Sequence, residues 1–428
     1  MIIVDKALEK RHLDGNPIRV ALCGAGYMGR GITLQIVTAI KGMRLVAISN
    51  RTLSEAKRAF KEAGVHSVSS IQTVSQLEEA ISAGKCAITD DASVLCQAEG
   101  IDAIIEATGE VEFGACVALK AIEHGKHVIL MNAELDATIG PILKIYADRA
   151  GVVITNTDGD QPGVIMNLVR FVKAIGYQPV LAGNIKGMQD HHRTPKTQAA
   201  FAEGYNQKPK MITSFADGTK IAMEMAIVAN ATGFRVGQRG MYGPRCAHVN
   251  EAPKLFPMNQ VLNGGLVDFI LGAEPSPGVF VLGYSDHPIK QQYMSYFKMG
   301  EGPLYTFYTP YHLPHLEVPI TVARAVLFHD AAVTPIAGPV CDVITIAKRD
   351  LKVGEVLDGI GGYTCYGMLE NSDECQAQNQ LAMGLSEGCR LKRNISMDSA
   401  ISYSDVELPK DRLSTRLRAE QEAFFTSG

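Results

Sequence analysis

Residues 18–30 read Ile18-Arg-Val-Ala-Leu-Cys23-Gly24-Ala25-Gly26-Tyr27-Met28-Gly29-Arg30. An apolar run of strand length leads into Gly-x-Gly-x-x-Gly, and a helical pattern continues to Ala39. Alone the three glycines are weak evidence, but a preceding strand, a following helix and a βαβ unit of about 30 residues give them meaning. Gly24 permits the tight turn, Gly26 lets backbone approach a pyrophosphate, and Gly29 lets the helix pack closely. The helix N-terminus, with Tyr27 and Met28 in its first turn, supplies N–H donors and partial positive charge. The second strand ends at Ser49-Asn50-Arg51-Thr52, where an NAD site would place a carboxylate against the ribose. Asn50 and Arg51 offer donors and a positive charge instead, which suits a 2′-phosphate and favours NADPH; a plain surface arginine is the alternative.

Working outward, residues 18 to 150 alternate short apolar runs with helical patterns. Strands are expected at Ile18–Cys23, Arg44–Ser49, Ala103–Glu106, His127–Leu130 and Val152–Thr155, each nearly continuous in apolar residues as strands covered on both faces are. The strand ends at Thr108-Gly109 and Asn132 to Glu134 lie at the carboxyl edge and are expected to flank the nicotinamide. The fold class is α/β: a Rossmann domain over 1–155, a central α+β substrate and dimerisation domain over 156–335, and a small β-rich domain over 336–428. In the central part a helix is expected after Gln161-Pro162-Gly163, a strand near Val180–Ile185, a polar loop over 187–214 and an apolar helix from Asp217 to Ala231. The charged tail after Pro409 reads as a surface helix.

Composition narrows the function classes. A net charge of −4 with dispersed Lys and Arg gives no field for nucleic acid or an anionic membrane, so the expected partner is a small molecule. Nine cysteines lack C-x-x-C pairs and zinc spacing, which reads as free thiols in a reducing compartment. No stretch reaches about 18 uninterrupted apolar residues and the N-terminus lacks the apolar core of an export signal, so a cytoplasmic location is expected.

The chemistry is expected on the helix that begins Asp217-Gly-Thr-Lys220 and continues through Glu224. From Ile221 to Ala229 every residue except Glu224 is apolar, so the helix reads as buried nearly all round, and Lys220 and Glu224 at i and i+4 share a face. A buried Lys or Glu is costly unless partnered or ligand-bound; a solvated ion pair is the alternative. Lys220 would protonate or polarise a carbonyl as hydride arrives, and Asp217 would orient it or cap the helix. Upstream, Lys186 and the run Asp190-His191-His192-Arg193 form a donor-dense loop suited to clamping a phosphate or carboxylate, with a plain polar loop as the alternative. Asp160, Asn230 and Arg239 complete the candidate substrate contacts.

On Gly24 to Gly29, on Asp217-Gly-Thr-Lys220 with Glu224 and Asn230-Ala-Thr232-Gly, and on Lys348-Arg-Asp-Leu-Lys-Val-Gly-Glu-Val-Leu357, the chain resembles the homoserine-dehydrogenase-like oxidoreductases with a C-terminal SAF domain. Within them it is most similar to the 1-deoxy-D-xylulose 5-phosphate reductoisomerase-like enzymes. The resemblance implies a homodimer that rearranges this phosphorylated substrate and reduces it with NADPH to 2-C-methyl-D-erythritol 4-phosphate, in isoprenoid precursor synthesis. It also implies proton transfer by Lys220 with Asp217 or Glu224, a phosphate clamp at 186–194, and a divalent cation, Mg2+ or Mn2+, for which the sequence offers no ligand set. The Asp-x-x-Lys spacing departs from the Asp-x-x-x-Lys usual in homoserine dehydrogenases, which weakens homoserine as substrate. Two other readings stay open: a dehydrogenase of another polar hydroxy or keto compound, and a non-catalytic NADP sensor or carbohydrate-binding protein.

Overall fold

The computed structural model describes residues 3–426 and divides into two compact units. The first comprises residues up to Asp160 with Leu313–Thr334 and Arg416–Gln421. Its core is a parallel seven-stranded sheet ordered β3-β4-β2-β1-β5-β6-β7. The strands are β1 (Ile18–Cys23), β2 (Met43–Ser49), β3 (Val68–Ser70), β4 (Cys86–Thr89), β5 (Ala103–Glu106), β6 (His127–Leu130) and β7 (Ile154–Asn156). Strand order reverses between β1 and β5, and ligands of open α/β sheets bind beyond the carboxyl ends at such a switch. The glycine turn after β1 sits there, leading into the helix Tyr27–Ala39.

The segment 313–334, expected in the central domain, belongs to the first unit. Its helix Pro314–Phe328 buries Val318, Val322, Ala323 and Ala325 in the same apolar cluster as Ile32 and Ile36 of the glycine-turn helix. The C-terminal helix Leu413–Thr426 is likewise more than a surface element. Gln421 Oε1 accepts the Ile142 N–H at 3.2 Å, and Arg418, largely buried, donates to the Thr138 carbonyl at 3.1 Å.

The second unit contains Gln161–His312 and Pro335–Thr415. A four-stranded sheet ordered β11-β10-β8-β9 consists of β8 (Gln178–Lys186), β9 (Leu266–Leu271), β10 (Gly278–Tyr284) and β11 (Leu304–Thr309), with β8 and β9 parallel. Ile185, Ile270, Phe280 and Leu282 cluster with Val249 and Ala252 of a short 3-10 helix. The helices Gln161–Ala174 and Thr219–Thr232 also pack on this sheet and on each other. The hairpin β12 (Cys341–Ala347) and β13 (Cys365–Asn371) packs against the latter helix. A second small core, around Leu351, Leu357, Leu381, Leu391 and Ile401, completes the β-rich C-terminal module. The β-rich reading of this region therefore holds, but the module shares one unit with the central sheet instead of standing apart.

The expected loop 187–214 contains two helices, Pro195–Gly204 and Pro209–Ala216. Thr194 opens the first with a reciprocal capping box to Thr197, and each has Pro in its first turn, where the missing N–H costs nothing.

One buried acid makes stability depend on pH. Asp136, inside the helix Ala133–Ala150, accepts from Asn156, and burial pushes its pKa up to about 7. Between the ordinary carboxylate range and about 7, the unfolded chain has lost this proton while the folded chain keeps it, so stability falls as pH rises through that window. Urea unfolding of Asp136→Asn should match wild type near pH 4 and gain up to about 4 kcal/mol over it near pH 8. A gap independent of pH would show that Asp136 is ionised when folded.

Candidate functional site

In the first unit the glycine turn assigns a separate task to each glycine. Gly24 has φ +103°, and a Cβ there would lie 2.7 Å from the Ala107 carbonyl oxygen. At Gly29 a Cβ would fall 2.1 Å from the Gly24 carbonyl, so neither position admits a side chain. Gly26 differs: its backbone is extended, a Cβ would meet nothing within 4 Å, and no side chain caps the helix that follows. Packing does not require glycine there, whereas close approach of a phosphate to the helix N-terminus does. Tyr27 is exposed and Met28 half-buried in that first turn.

Around the turn, several candidate residues prove to be structural. Asn50 Oδ1 accepts the Ala25 N–H at 3.0 Å and its Nδ2 donates to the Thr52 carbonyl at 2.9 Å, so Asn50 shapes the glycine turn and Arg51 is left as the exposed cation at the end of β2. Thr108 and Asn132 turn inward to Glu106, a fully buried carboxyl whose pKa burial raises. It accepts the Thr108 N–H at 2.8 Å, the Thr108 hydroxyl, and Asn132 Nδ2 at 2.7 Å. Asn132 Oδ1 also caps the helix Ala133–Ala150 through the Leu135 N–H at 3.1 Å. Gly109 takes φ +71°, and Glu134 and Asp160 are buried.

The second unit gathers the catalytic candidates Lys186, Lys220 and Glu224. Lys186 ends β8, and Lys220 stands in the first turn of the helix Thr219–Thr232, of which residues 221–231 are all buried. Glu224, 3% exposed, accepts Asn184 Nδ2 at 3.0 Å. The Gln161 amide, turned with its nitrogen toward the carboxylate, donates to Glu224 Oε1 at 3.1 Å. Burial lowers the Lys186 pKa; the Glu224 charge opposes this and the Lys220 charge adds to it. Two amines and one carboxylate thus share one electrostatic environment. Lys186 is half-buried and has no hydrogen-bond acceptor among the described residues.

Asn184 and Lys186 stand in register with Phe269 and Leu271 of β9, so these four side chains leave the same sheet face. Phe269 and Leu271 line a cavity of about 340 Å³ with Gln189, His191, Arg239 and Met368. The cavity wall therefore lies one strand from Lys186.

The other candidates are already paired within the protein. Asp217, fully buried, forms an ion pair with Lys348 at 2.8 Å and accepts the Thr219 N–H at 2.9 Å, so its carboxylate caps and anchors the helix instead of touching a substrate. Asn230 Oδ1 accepts the N–H groups of Val340 and Cys341 at 2.8 and 3.0 Å. Arg193 pairs with Asp190 at 3.0 Å, His192 with Asp398 at 3.0 Å, and Arg239 with Glu370 at 2.7 Å. His191 Nδ1 donates to the Asp217 carbonyl at 2.8 Å and its ring stacks on Tyr366. Among the described residues no group of three or more His, Cys, Asp or Glu side chains could hold a metal. The set at Glu224, two ammonium groups to one carboxylate, does not fit a divalent cation.

Comparison with known proteins gives the class. Residues 18–130 match the family described as oxidoreductase family, NAD-binding Rossmann fold, and residues 159–318 match oxidoreductase DRL, catalytic domain. The chain is an NAD(P)-dependent oxidoreductase: one match covers the glycine turn and the other covers Lys186, Lys220 and Glu224. Homoserine dehydrogenase of Methylobacillus glycogenes is 32% identical over 122 residues, which is 28% of this chain and only 26% of that protein. Among solved structures, scyllo-inositol dehydrogenase from Lactobacillus casei aligns at 14% identity and TM-score 0.38, covering 68% of this chain and 76% of that one. A putative myo-inositol dehydrogenase from Sinorhizobium meliloti aligns at 11% identity and TM-score 0.40, covering 73% and 90%.

Two measurements check these assignments without a substrate. Gly26→Ala should leave the melting temperature within about 2 °C of wild type but weaken binding of the reduced nicotinamide cofactor at least tenfold, read by cofactor fluorescence; equal affinity would remove the pyrophosphate from this turn. The pH dependence of Lys186 labelling by an amine reagent should move in opposite directions in two variants. Glu224→Gln removes the charge that raises the Lys186 pKa and shifts labelling to lower pH. Lys220→Met removes the charge that lowers it and shifts labelling upward.

Proposed function

We propose that the chain is an NADPH-dependent reductoisomerase, converting 1-deoxy-D-xylulose 5-phosphate to 2-C-methyl-D-erythritol 4-phosphate. The observation that carries this reading is the cluster in which the buried Glu224 carboxylate and the Lys220 amine both act on the amine of Lys186. Bound at the glycine turn, NADPH supplies the hydride. The rearrangement that precedes reduction breaks one carbon–carbon bond and makes another, and negative charge moves between two oxygens of the substrate. A pair of ammonium groups can stabilise that charge at either oxygen, in surroundings where burial strengthens the interaction. Lys186, with its pKa lowered, supplies the amine that takes a proton from a substrate hydroxyl and returns it to the alkoxide left at the former ketone oxygen, and the Lys220 ammonium gives a second proton to the aldehyde oxygen as hydride arrives. Glu224, fixed by Asn184 and Gln161, keeps the two amines from carrying an unbalanced charge. The neighbouring cavity of about 340 Å³ is of a size for a five-carbon chain.

A second reading, a dehydrogenase of another polar hydroxy or keto compound, is favoured by one specific observation. Arg193, His192 and Arg239, the donors expected to meet a phosphate, are each already held by a carboxylate. The deciding experiment supplies purified protein with NADPH and 1-deoxy-D-xylulose 5-phosphate, with and without Mg2+, beside phosphate-free hydroxy-ketones. Oxidation of NADPH with the phosphorylated substrate is expected, with turnover lower by two to four orders of magnitude in Lys220→Met. Faster turnover of a phosphate-free compound would transfer the assignment to the second reading.

A further inference from the structure

We infer that the β-rich C-terminal module is a working part of the catalytic unit, with Lys348 as the positioning residue that fixes the first turn of the helix carrying Lys220 and Glu224. The inference rests on the catalytic reading of those two side chains.

Lys348 follows β12 directly, and its side chain is 2% exposed. All three ammonium donors are satisfied at 2.8 Å, by the Asp217 carboxylate, the Arg193 carbonyl and the Gly362 carbonyl. One of these acceptors belongs to the module, one to the donor-rich loop and one to the helix start, so a single buried cation ties three segments together. Asp217 passes the restraint on. Its second oxygen accepts the Thr219 N–H, and its carbonyl accepts from His191, whose ring stacks on Tyr366 of β13 at 4.6 Å. The module reaches the same turn again through the Gly367 N–H, which donates to the Thr219 hydroxyl at 2.8 Å.

These contacts bear on Lys220 because of where they sit. Gly218, just before the helix, has φ +91°, and no side chain caps the helix at that position. The turn that sets the direction of Lys220 is therefore held from outside the helix, by the module. A lysine that must place an ammonium beside a developing oxyanion loses its effect when displaced by about 1 Å. Lys348 differs from Lys186 in the same way that structural and reactive lysines differ in general. One has every donor occupied and the other has none among the described residues.

The test uses the full-length protein. Removing one partner of a buried ion pair leaves an uncompensated charge, so the informative variant is the neutral pair Lys348→Met with Asp217→Asn, which keeps the Thr219 cap. Thr219→Val removes the second contact without altering charge. In the double variant, hydrogen exchange over residues 219–224 should accelerate at least tenfold and amine labelling of Lys220 at least fivefold, with NADPH affinity unchanged. Turnover should fall at least thirtyfold with KM within threefold of wild type; Thr219→Val should show about a fivefold fall. If wild type does not turn over 1-deoxy-D-xylulose 5-phosphate, the proposed reaction fails, while exchange and labelling still decide this inference. Variants that keep wild-type exchange and labelling would overturn it, as would faster exchange with unchanged turnover of whichever substrate the enzyme accepts.

Discussion

A helix enclosed on every side cannot leave a charge to water, so each ionisable group it carries must be met from within the protein or by a ligand. This constraint governs the segment Thr219–Thr232, which lies among the central sheet, the helix Gln161–Ala174 and the β12–β13 hairpin. Glu224 obeys it through Asn184 and Gln161, and the acid that precedes the helix, Asp217, obeys it through Lys348. An unpaired carboxylate at either position would cost several kcal/mol of desolvation, so these partners are requirements of the fold as much as features of a site. Lys220 and Lys186 escape full burial and remain half-buried.

The same physics acts in the first unit with a different outcome. Glu106 and Asp136 lie at or near the carboxyl edge of the parallel sheet, and both are fully enclosed. Hydrogen bonds from Thr108 and Asn132 hold Glu106 in place, while Asp136 has the Asn156 amide and a pKa pushed up to about 7. Polar side chains that would face a cofactor in a simpler reading are directed inward to satisfy these acids. What remains toward the nucleotide is mostly backbone: the N–H groups after Gly26, with Arg51 as the exposed cation.

How far the sequence carried this picture depends on the range of each interaction. The glycine turn, its strands and the buried helix follow from local patterns, because sterics at Gly24 and Gly29 and apolar periodicity are properties of a few adjacent residues. The edge strand β3 and its neighbour β4 escaped notice: no residue of β3 is buried, and β4 opens on a half-buried Cys86 and ends on Thr89, so neither gives the continuous apolar run that marks β5. The helices at Pro195 and Pro209 were legible in their caps but hidden by polar composition. The placement of 313–334 was not legible, since Val318 and Val322 meet their partners only across about 280 residues of chain.

Charge pairing is the least local property of all, and it decides which basic residues remain available. Arg193 finds Asp190 three positions away, but His192 pairs with Asp398 and Arg239 with Glu370, both in the C-terminal module. Density of donors in the 186–193 run therefore overstated its free positive charge, because Arg193 is paired by an acid within the run and His192 by one remote in sequence. Lys186 is the exception: it stands at a strand end beside Lys220, and repulsion between like charges works with burial to favour its neutral form. Glu224 opposes that shift, so the amine of Lys186 is balanced between one carboxylate and one ammonium instead of being locked in an ion pair. Lys348 is the opposite case, with all three donors held at 2.8 Å by the Asp217 carboxylate and the Arg193 and Gly362 carbonyls.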